Sequence, residues 1–147
     1  MADAPSDARS SLRGSCLCGD YRFEITGRIR FLKACHCTRC RKMSGSTFAT
    51  YARALTKDLV VVSGADALVC YERSPGTVIA FCRRCGSLVP YPPAGSPEVE
   101  FGAGLLDDDP GVGIAYHIFV ASRAPWCELT DDLPKFDGLN PTPFSER

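Results

Sequence analysis

Seven of the nine cysteines in this 147-residue chain fall into three tight clusters. Cys16 and Cys18 stand in "CLCG", Cys35, Cys37 and Cys40 in "CHCTRC", and Cys82 and Cys85 in "CRRCG". Cysteines one or two residues apart can bring their sulfurs to the ~3.8 Å edge of a tetrahedral zinc–thiolate site when the chain turns in a tight knuckle. The residue closing such a knuckle often needs positive φ, which glycine adopts without a Cβ clash. Gly19 follows Cys18 and Gly86 follows Cys85, whereas Arg41 follows Cys40. The two glycine-closed pairs therefore match each other and are expected to share one closed four-cysteine zinc site. A competing partition joins Cys37 and Cys40 to Cys82 and Cys85, as in a zinc ribbon.

The first partition leaves Cys35, Cys37 and Cys40 as a three-cysteine set. Three protein ligands with one open position are what a catalytic zinc requires. Closure of this set by His117, or three thiols without metal, remain open alternatives. His117, inside "IAYHIFV", reads more simply as a hydrogen-bonded strand histidine, and His36 would alternate away from Cys35 and Cys37 in an extended chain. A zinc with three thiolates is a soft, weak Lewis acid, suited to an incoming thiol. Lys33, Arg39, Arg41 and Lys42 surround the set and could receive substrate carboxylates, or could each be an ordinary solvated cation. Cys70 and Cys127 stand in apolar or aromatic surroundings and are expected to be small buried hydrophobes, and Trp126 is expected to be a core or edge-packing anchor. Tyr51 and Tyr116 occupy strand positions with no pattern pointing to catalysis.

The elements that must position these thiols are short strands. "DYRFEIT" alternates, with Tyr21, Phe23 and Ile25 on one face. "STFATYARA", "DLVVVSG", "ALVCYER", "GTVIAFC", "SLVPY", "EVEFGAG" and "IAYHIFV" are similarly rich in β-branched and aromatic residues, with glycine and proline between them. A turn or two of helix is expected at "TRCRKMS" and again at "LTKDL". The pattern predicts one mainly β domain, an all-β sandwich or folded sheet, over residues 14–140. Residues 1–13 and 141–147 are expected to be tails.

Composition narrows the function classes. Nine cysteines without a basic, apolar leader favour a reducing, cytoplasmic setting, where thiols bind metal or react rather than crosslink. No apolar run approaches the ~20 residues that span a bilayer, so no membrane partner is expected. Formal net charge is zero, which argues against a nucleic-acid partner. Charge is nonetheless segregated: residues 25–57 carry no acid, and a later group of acids stands at Glu98, Glu100, Asp107–Asp109, Glu128, Asp131 and Asp132. These halves either neutralise each other in the fold or leave a positive field around the thiols.

In order, "GSCLCGDYRFEITG", "ACHCTRCRKMSGSTFATYA", "FCRRCGSLVPY" and "HIFVASRAPW…LPKF" resemble the glutathione-dependent formaldehyde-activating enzyme family, which includes centromere protein V. The resemblance runs from Gly14 to Asp137. It implies a β-tent of short antiparallel sheets, a structural zinc on Cys16, Cys18, Cys82 and Cys85, and a catalytic zinc on Cys35, Cys37 and Cys40. It also implies a carbon–sulfur lyase activity with glutathione as the small thiol partner, adding it reversibly to formaldehyde to give S-hydroxymethylglutathione. Two rival readings remain: a non-enzymatic zinc module that binds protein or nucleic acid, and a thiol redox sensor.

Overall fold

The structure is a computed structural model that describes residues 11–142; most of each expected tail lies outside the described residues. Ten strands form three sheets. The first sheet contains β1 (Leu12–Ser15), β2 (Arg22–Ile25) and β5 (Leu59–Ser63) in the order β1-β2-β5. The second is ordered β10-β3-β4-β9, from β3 (Leu32–Cys35), β4 (Ala49–Leu55), β9 (Glu98–Gly102) and β10 (Ile114–Ile118). The third joins β6 (Leu68–Ser74), β7 (Thr77–Cys82) and β8 (Leu88–Val89). All pairings are antiparallel except β10 with β3. The mainly β expectation holds. Each of the eight sequence runs contains a strand, while β1 and β3 carry no alternation strong enough to mark them beforehand. Because β1 pairs Leu12 with Ile25, the ordered sheet begins ahead of Gly14.

One helix, α1, covers Thr38–Ser44, the expected "TRCRKMS" segment. Cys37 is its N-cap, and the Cys37 sulfur accepts from the Cys40 amide. Gly45 ends it at φ 64° and donates its amide to the Arg41 carbonyl, a left-handed stop. The "LTKDL" segment forms a single 3-10 turn, Thr56–Asp58.

Strand alternation divides the four-stranded sheet into two chemically different faces. Ala34, Ala52, Ala54, Val99 and Phe101 are buried in or beside the main core with Tyr21, Phe23 and Ile25. On the other face stand Lys33 and Cys35, Tyr51 and Arg53, and Glu98 and Glu100, all lining a single cavity. Register makes neighbours of them: Lys33 lies opposite Tyr51, and Arg53 opposite Glu100.

Three packing expectations are corrected. Cys70 is exposed on β6, an edge strand whose residues 69–72 are all exposed. Trp126 is 76% exposed, and its ring lies 5.9 Å below the Arg41 guanidinium rather than in the core. Cys127 is only half-buried.

Candidate metal centre and cavity

The cysteine sulfurs gather in a group of four and a group of three. Those of Cys16, Cys18, Cys82 and Cys85 all lie within 4.8 Å of one another, as do those of Cys35, Cys37 and Cys40. The fold does not bring Cys37 and Cys40 to Cys82 and Cys85. All nine cysteines are free thiols.

Two knuckles build the four-sulfur group, one just after β1 and one at the end of β7. Gly19 and Gly86 adopt φ 81° and φ 79°, as the knuckle argument requires. Their amides donate back to the Cys16 and Cys82 carbonyls, closing each turn. The Cys16–Cys18 and Cys18–Cys82 sulfur distances are 3.5 and 3.7 Å, close to the ~3.8 Å edge of a zinc tetrathiolate. The Tyr21 amide donates to the Cys16 sulfur, and Ser87 Oγ lies 3.4 Å from the Cys85 sulfur. The hydrogen bond with Ser87 leads the interactions that draw the Cys85 thiol down to about 5, toward the anionic form a metal binds. The donor set, spacing and polarity fit zinc.

The three-sulfur group forms where β3 runs into α1. Cys35 ends the strand, Cys37 caps the helix, and Cys40 lies one turn into it. Cys35 and Cys40 are buried, and Cys37 is half-buried. The Tyr51 hydroxyl donates to the Cys40 sulfur at 3.2 Å. Hydrogen bonding from Cys35 leads the causes that draw Cys40 down to about 6 against the opposing effect of burial, with Tyr51, Cys37 and the Arg73 charge assisting. Cys35 is driven upward, first by its bond to Cys40 and then by burial. Among the described residues, no histidine, aspartate, glutamate or fourth cysteine joins this set. Its donors also fit a soft metal, with three ligands rather than four.

Cys35, Cys37 and Cys40 all line a cavity of about 900 Å³, whereas none of the other four cysteines does. The cavity lies between the polar face of the four-stranded sheet, α1, and the sheet holding β6, β7 and β8. Its lining combines apolar Phe48, Ile79, Val89 and Ile118 with the charged residues Lys33, Arg39, Arg53, Arg73, Glu98 and Glu100. Lys33 Nζ lies 2.7 Å from Glu100, and Arg53 is ion-paired to both Glu98 and Glu100. The expected neutralisation of early cations by later acids is thus real at this sheet.

Of the four cations expected around the thiols, Lys33 and Arg39 line the cavity. Arg41 and Lys42 do not, because ~100° per residue of helix rotation carries them off the side shared by Cys40, Met43 and Ser44. Tyr51 and Arg73 were not legible as site residues. Alternation in "STFATYARA" separates Tyr51 from the core face, but only the β3–β4 pairing places it beside the thiols. No local signal marks Arg73, which arrives from another sheet.

The two histidines form a buried chain behind the thiols. His36 is fully buried, and its Nε2 lies 2.8 Å from His117 Nδ1. His117 Nε2 lies 2.9 Å from Asp131 Oδ2. An ionised Asp131 only accepts, so His117 donates from Nε2, and in a neutral imidazole its Nδ1 then accepts from His36 Nε2. Lys135, ahead of burial and His117, dominates the balance that holds Asp131 at about 2. Burial, followed by His117 and nearby arginines, pushes His36 below its ordinary range and keeps it neutral. With both nitrogens engaged, His117 is the hydrogen-bonded strand histidine the sequence suggested and not a fourth ligand. His36 Nδ1 is buried without a partner among the described residues.

No curated protein sequence matches significantly. A crystal structure of a Rhodobacter sphaeroides protein is similar in fold, with a TM-score of 0.54 and 26% identity over 69% of this chain and 98% of that one. The sequence profile described as "Glutathione-dependent formaldehyde-activating enzyme" matches residues 11–122. Because that match spans most of its length, the chain belongs to the glutathione-dependent formaldehyde-activating enzyme family.

Proposed function

We propose that this chain is a zinc-dependent carbon–sulfur lyase that reversibly joins a small thiol, glutathione in the first instance, to formaldehyde. The observation that carries this reading is the contrast between the cysteine groups: the three-sulfur set faces the cavity, while the four-sulfur set does not. Cys35, Cys37 and Cys40 would hold the catalytic zinc; Cys16, Cys18, Cys82 and Cys85 would hold a structural one. Bound at the three-sulfur set, the metal supplies a soft Lewis acid that keeps a substrate thiol deprotonated near neutral pH.

In the reaction, the substrate sulfur bonds to the aldehyde carbon and the carbonyl π pair moves to oxygen. The proton released by the thiol ends on that oxygen, giving S-hydroxymethylglutathione and no second product. The chain's own residues position and exclude. Tyr51 fixes Cys40 through its hydroxyl, and the Cys37 sulfur fixes the start of α1. Phe48, Ile79, Val89 and Ile118 supply a water-poor wall, and Arg39 is an exposed cation at the edge of the site. A cavity of about 900 Å³ accommodates a tripeptide, within the ~300–1,000 Å³ usual for small-molecule sites. The cysteine chemistry suits a reducing cytoplasmic compartment, and no helix among the described residues is long and apolar enough to cross a membrane.

The test is exchange NMR of glutathione, formaldehyde and their adduct with zinc-loaded protein, against a Cys37→Ser control. Exchange at least tenfold faster than the control is expected. Exchange no faster than the control removes the enzyme reading, and selective glutathione binding without acceleration leaves a binding module. A second reading, a reversible thiol switch, draws on the low Cys40 pKa beside Cys35 and Cys37. It requires zinc-free protein isolated with a reversible disulfide within the three-sulfur set.

A further inference from the structure

The cations of the cavity are not equivalent. Lys33 and Arg53 are neutralised by Glu98 and Glu100 on the same sheet face. Arg39 is exposed. Arg73 differs from all three. It projects from the end of β6, in the sheet across the cavity from the cysteines, and is half-buried. Its Nε is buried without a hydrogen-bond partner, and no carboxylate among the described residues pairs with it. Its one polar contact is weak: Nη1 lies 4.0 Å from the Met43 thioether. Met43 stands one helical turn beyond Cys40, so this contact brings the guanidinium to the helix that carries the thiols.

A partly buried guanidinium with an unpartnered donor and no carboxylate beside it has hydrogen-bonding capacity left for a ligand. Guanidinium presents a planar fork of donors that matches a carboxylate in two-point contact. The cavity wall contributed by this sheet is largely apolar, with Val78, Ile79, Ala80, Leu88 and Val89 in its lining, so it would strengthen such a pair. We propose that Arg73 determines specificity in this cavity by binding the carboxylate of a thiol whose sulfur lies at Cys35, Cys37 and Cys40. The inference rests on reading those cysteines as the thiol site, and it adds the group that selects among thiols. The cavity thus prefers a carboxylate-bearing thiol because of an arginine from the opposite sheet, not because of the cations adjoining the cysteines in sequence.

Calorimetric titration of the zinc-loaded full chain tests this with 3-mercaptopropionate and its neutral methyl ester, which share the thiol and carbon spacing. Wild type is expected to bind the acid at least tenfold more tightly than the ester. Arg73→Met should bring the two within about twofold by weakening binding of the acid. Arg73→Lys should retain part of the preference, and Arg39→Met most of it. Equal binding of acid and ester by wild type, binding of neither, or a preference that survives in folded Arg73→Met would overturn the inference. If Arg73→Met loses zinc or fails to fold, Arg73→Lys decides: an undiminished preference rejects two-point binding, and a reduced one supports it. The two proposals can fail separately. An Arg73-dependent preference without accelerated formaldehyde exchange removes the lyase and keeps the anchor. Accelerated exchange that is identical in wild type and Arg73→Met does the reverse.

Discussion

Tyr51 and Cys40 show how much one hydroxyl can alter a thiol. The Tyr51 hydroxyl donates to the Cys40 sulfur, and this bond is among those that hold Cys40 at about 6. Removing the donor favours the protonated thiol, so the Cys40 pKa must rise in Tyr51→Phe. Ultraviolet thiolate titration of metal-free protein should show the transition near 6, above that of Cys85 near 5, moving upward by about one pH unit, the equivalent of ~1.4 kcal/mol. An unmoved transition would mean that the hydroxyl does not stabilise the anion. The histidine chain makes a different kind of residue-scale statement. His117→Ala leaves a void and strips His36 Nε2 of its acceptor, together expected to cost about 3 kcal/mol. Asp131→Asn retains an amide oxygen that can still accept from His117, so its expected cost is about 1 kcal/mol. Urea unfolding of zinc-loaded protein checks the order, and an Asp131→Asn loss exceeding that of His117→Ala contradicts it.

At the scale of elements, the two cysteine groups do different mechanical work. Cys16 and Cys18 belong to the connection between β1 and β2, while Cys82 and Cys85 belong to β7 and the turn into β8. The four-sulfur group therefore ties together two sheets that share no ladder hydrogen bonds. The three-sulfur group is local, confined to the end of β3 and to α1. Cys82→Ser should accordingly destabilise the fold by several kcal/mol, as expected when zinc binding is coupled to folding. Cys37→Ser should lose metal at the cavity but keep the helix, because serine is itself a good N-cap. Cys37→Ala removes the cap as well and should cost about 1 kcal/mol more than Cys37→Ser. Thermal unfolding with parallel zinc counting distinguishes the three variants. Equal unfolding by Cys37→Ser and Cys82→Ser would refute the division of labour.

For the whole molecule, the same division predicts what chelation does. The main core is assembled from residues of all three sheets, including Cys16 and Cys82 themselves. Losing metal from the four-sulfur group leaves adjacent thiols in a partly buried setting, where thiolates repel and thiols pack poorly. Amide exchange after chelation should therefore rise first in β1, β2, β7 and β8. The sheet containing β3, β4, β9 and β10 should keep more protection, since its ladders and the Lys33, Arg53, Glu98 and Glu100 network need no metal. Uniform loss of protection across all three sheets would show that the metal stabilises the molecule globally rather than by joining two of its parts.

Features set over a few residues were legible before any fold was known. Knuckle glycines after Cys18 and Cys85 require positive φ, and the backbone adopts it at both Gly19 and Gly86. Alternation in "DYRFEIT" buries Tyr21, Phe23 and Ile25 because a strand has period two whatever it pairs with. The short helix at "TRCRKMS" follows from local capping at Cys37 and Gly45. Only the tertiary structure decided which strands meet. Placing Tyr51 against Cys40 needs the β3–β4 register, and charge neutralisation at Lys33 needs β9 beside β4. Bringing Arg73 to the helix of the thiols needs a third sheet folded across the cavity. Strand alternation says that a side chain leaves the core face, but the residue it then meets is set by contacts distant in sequence. For that reason the two cysteine groups were readable from spacing, and the cavity that one of them lines was not.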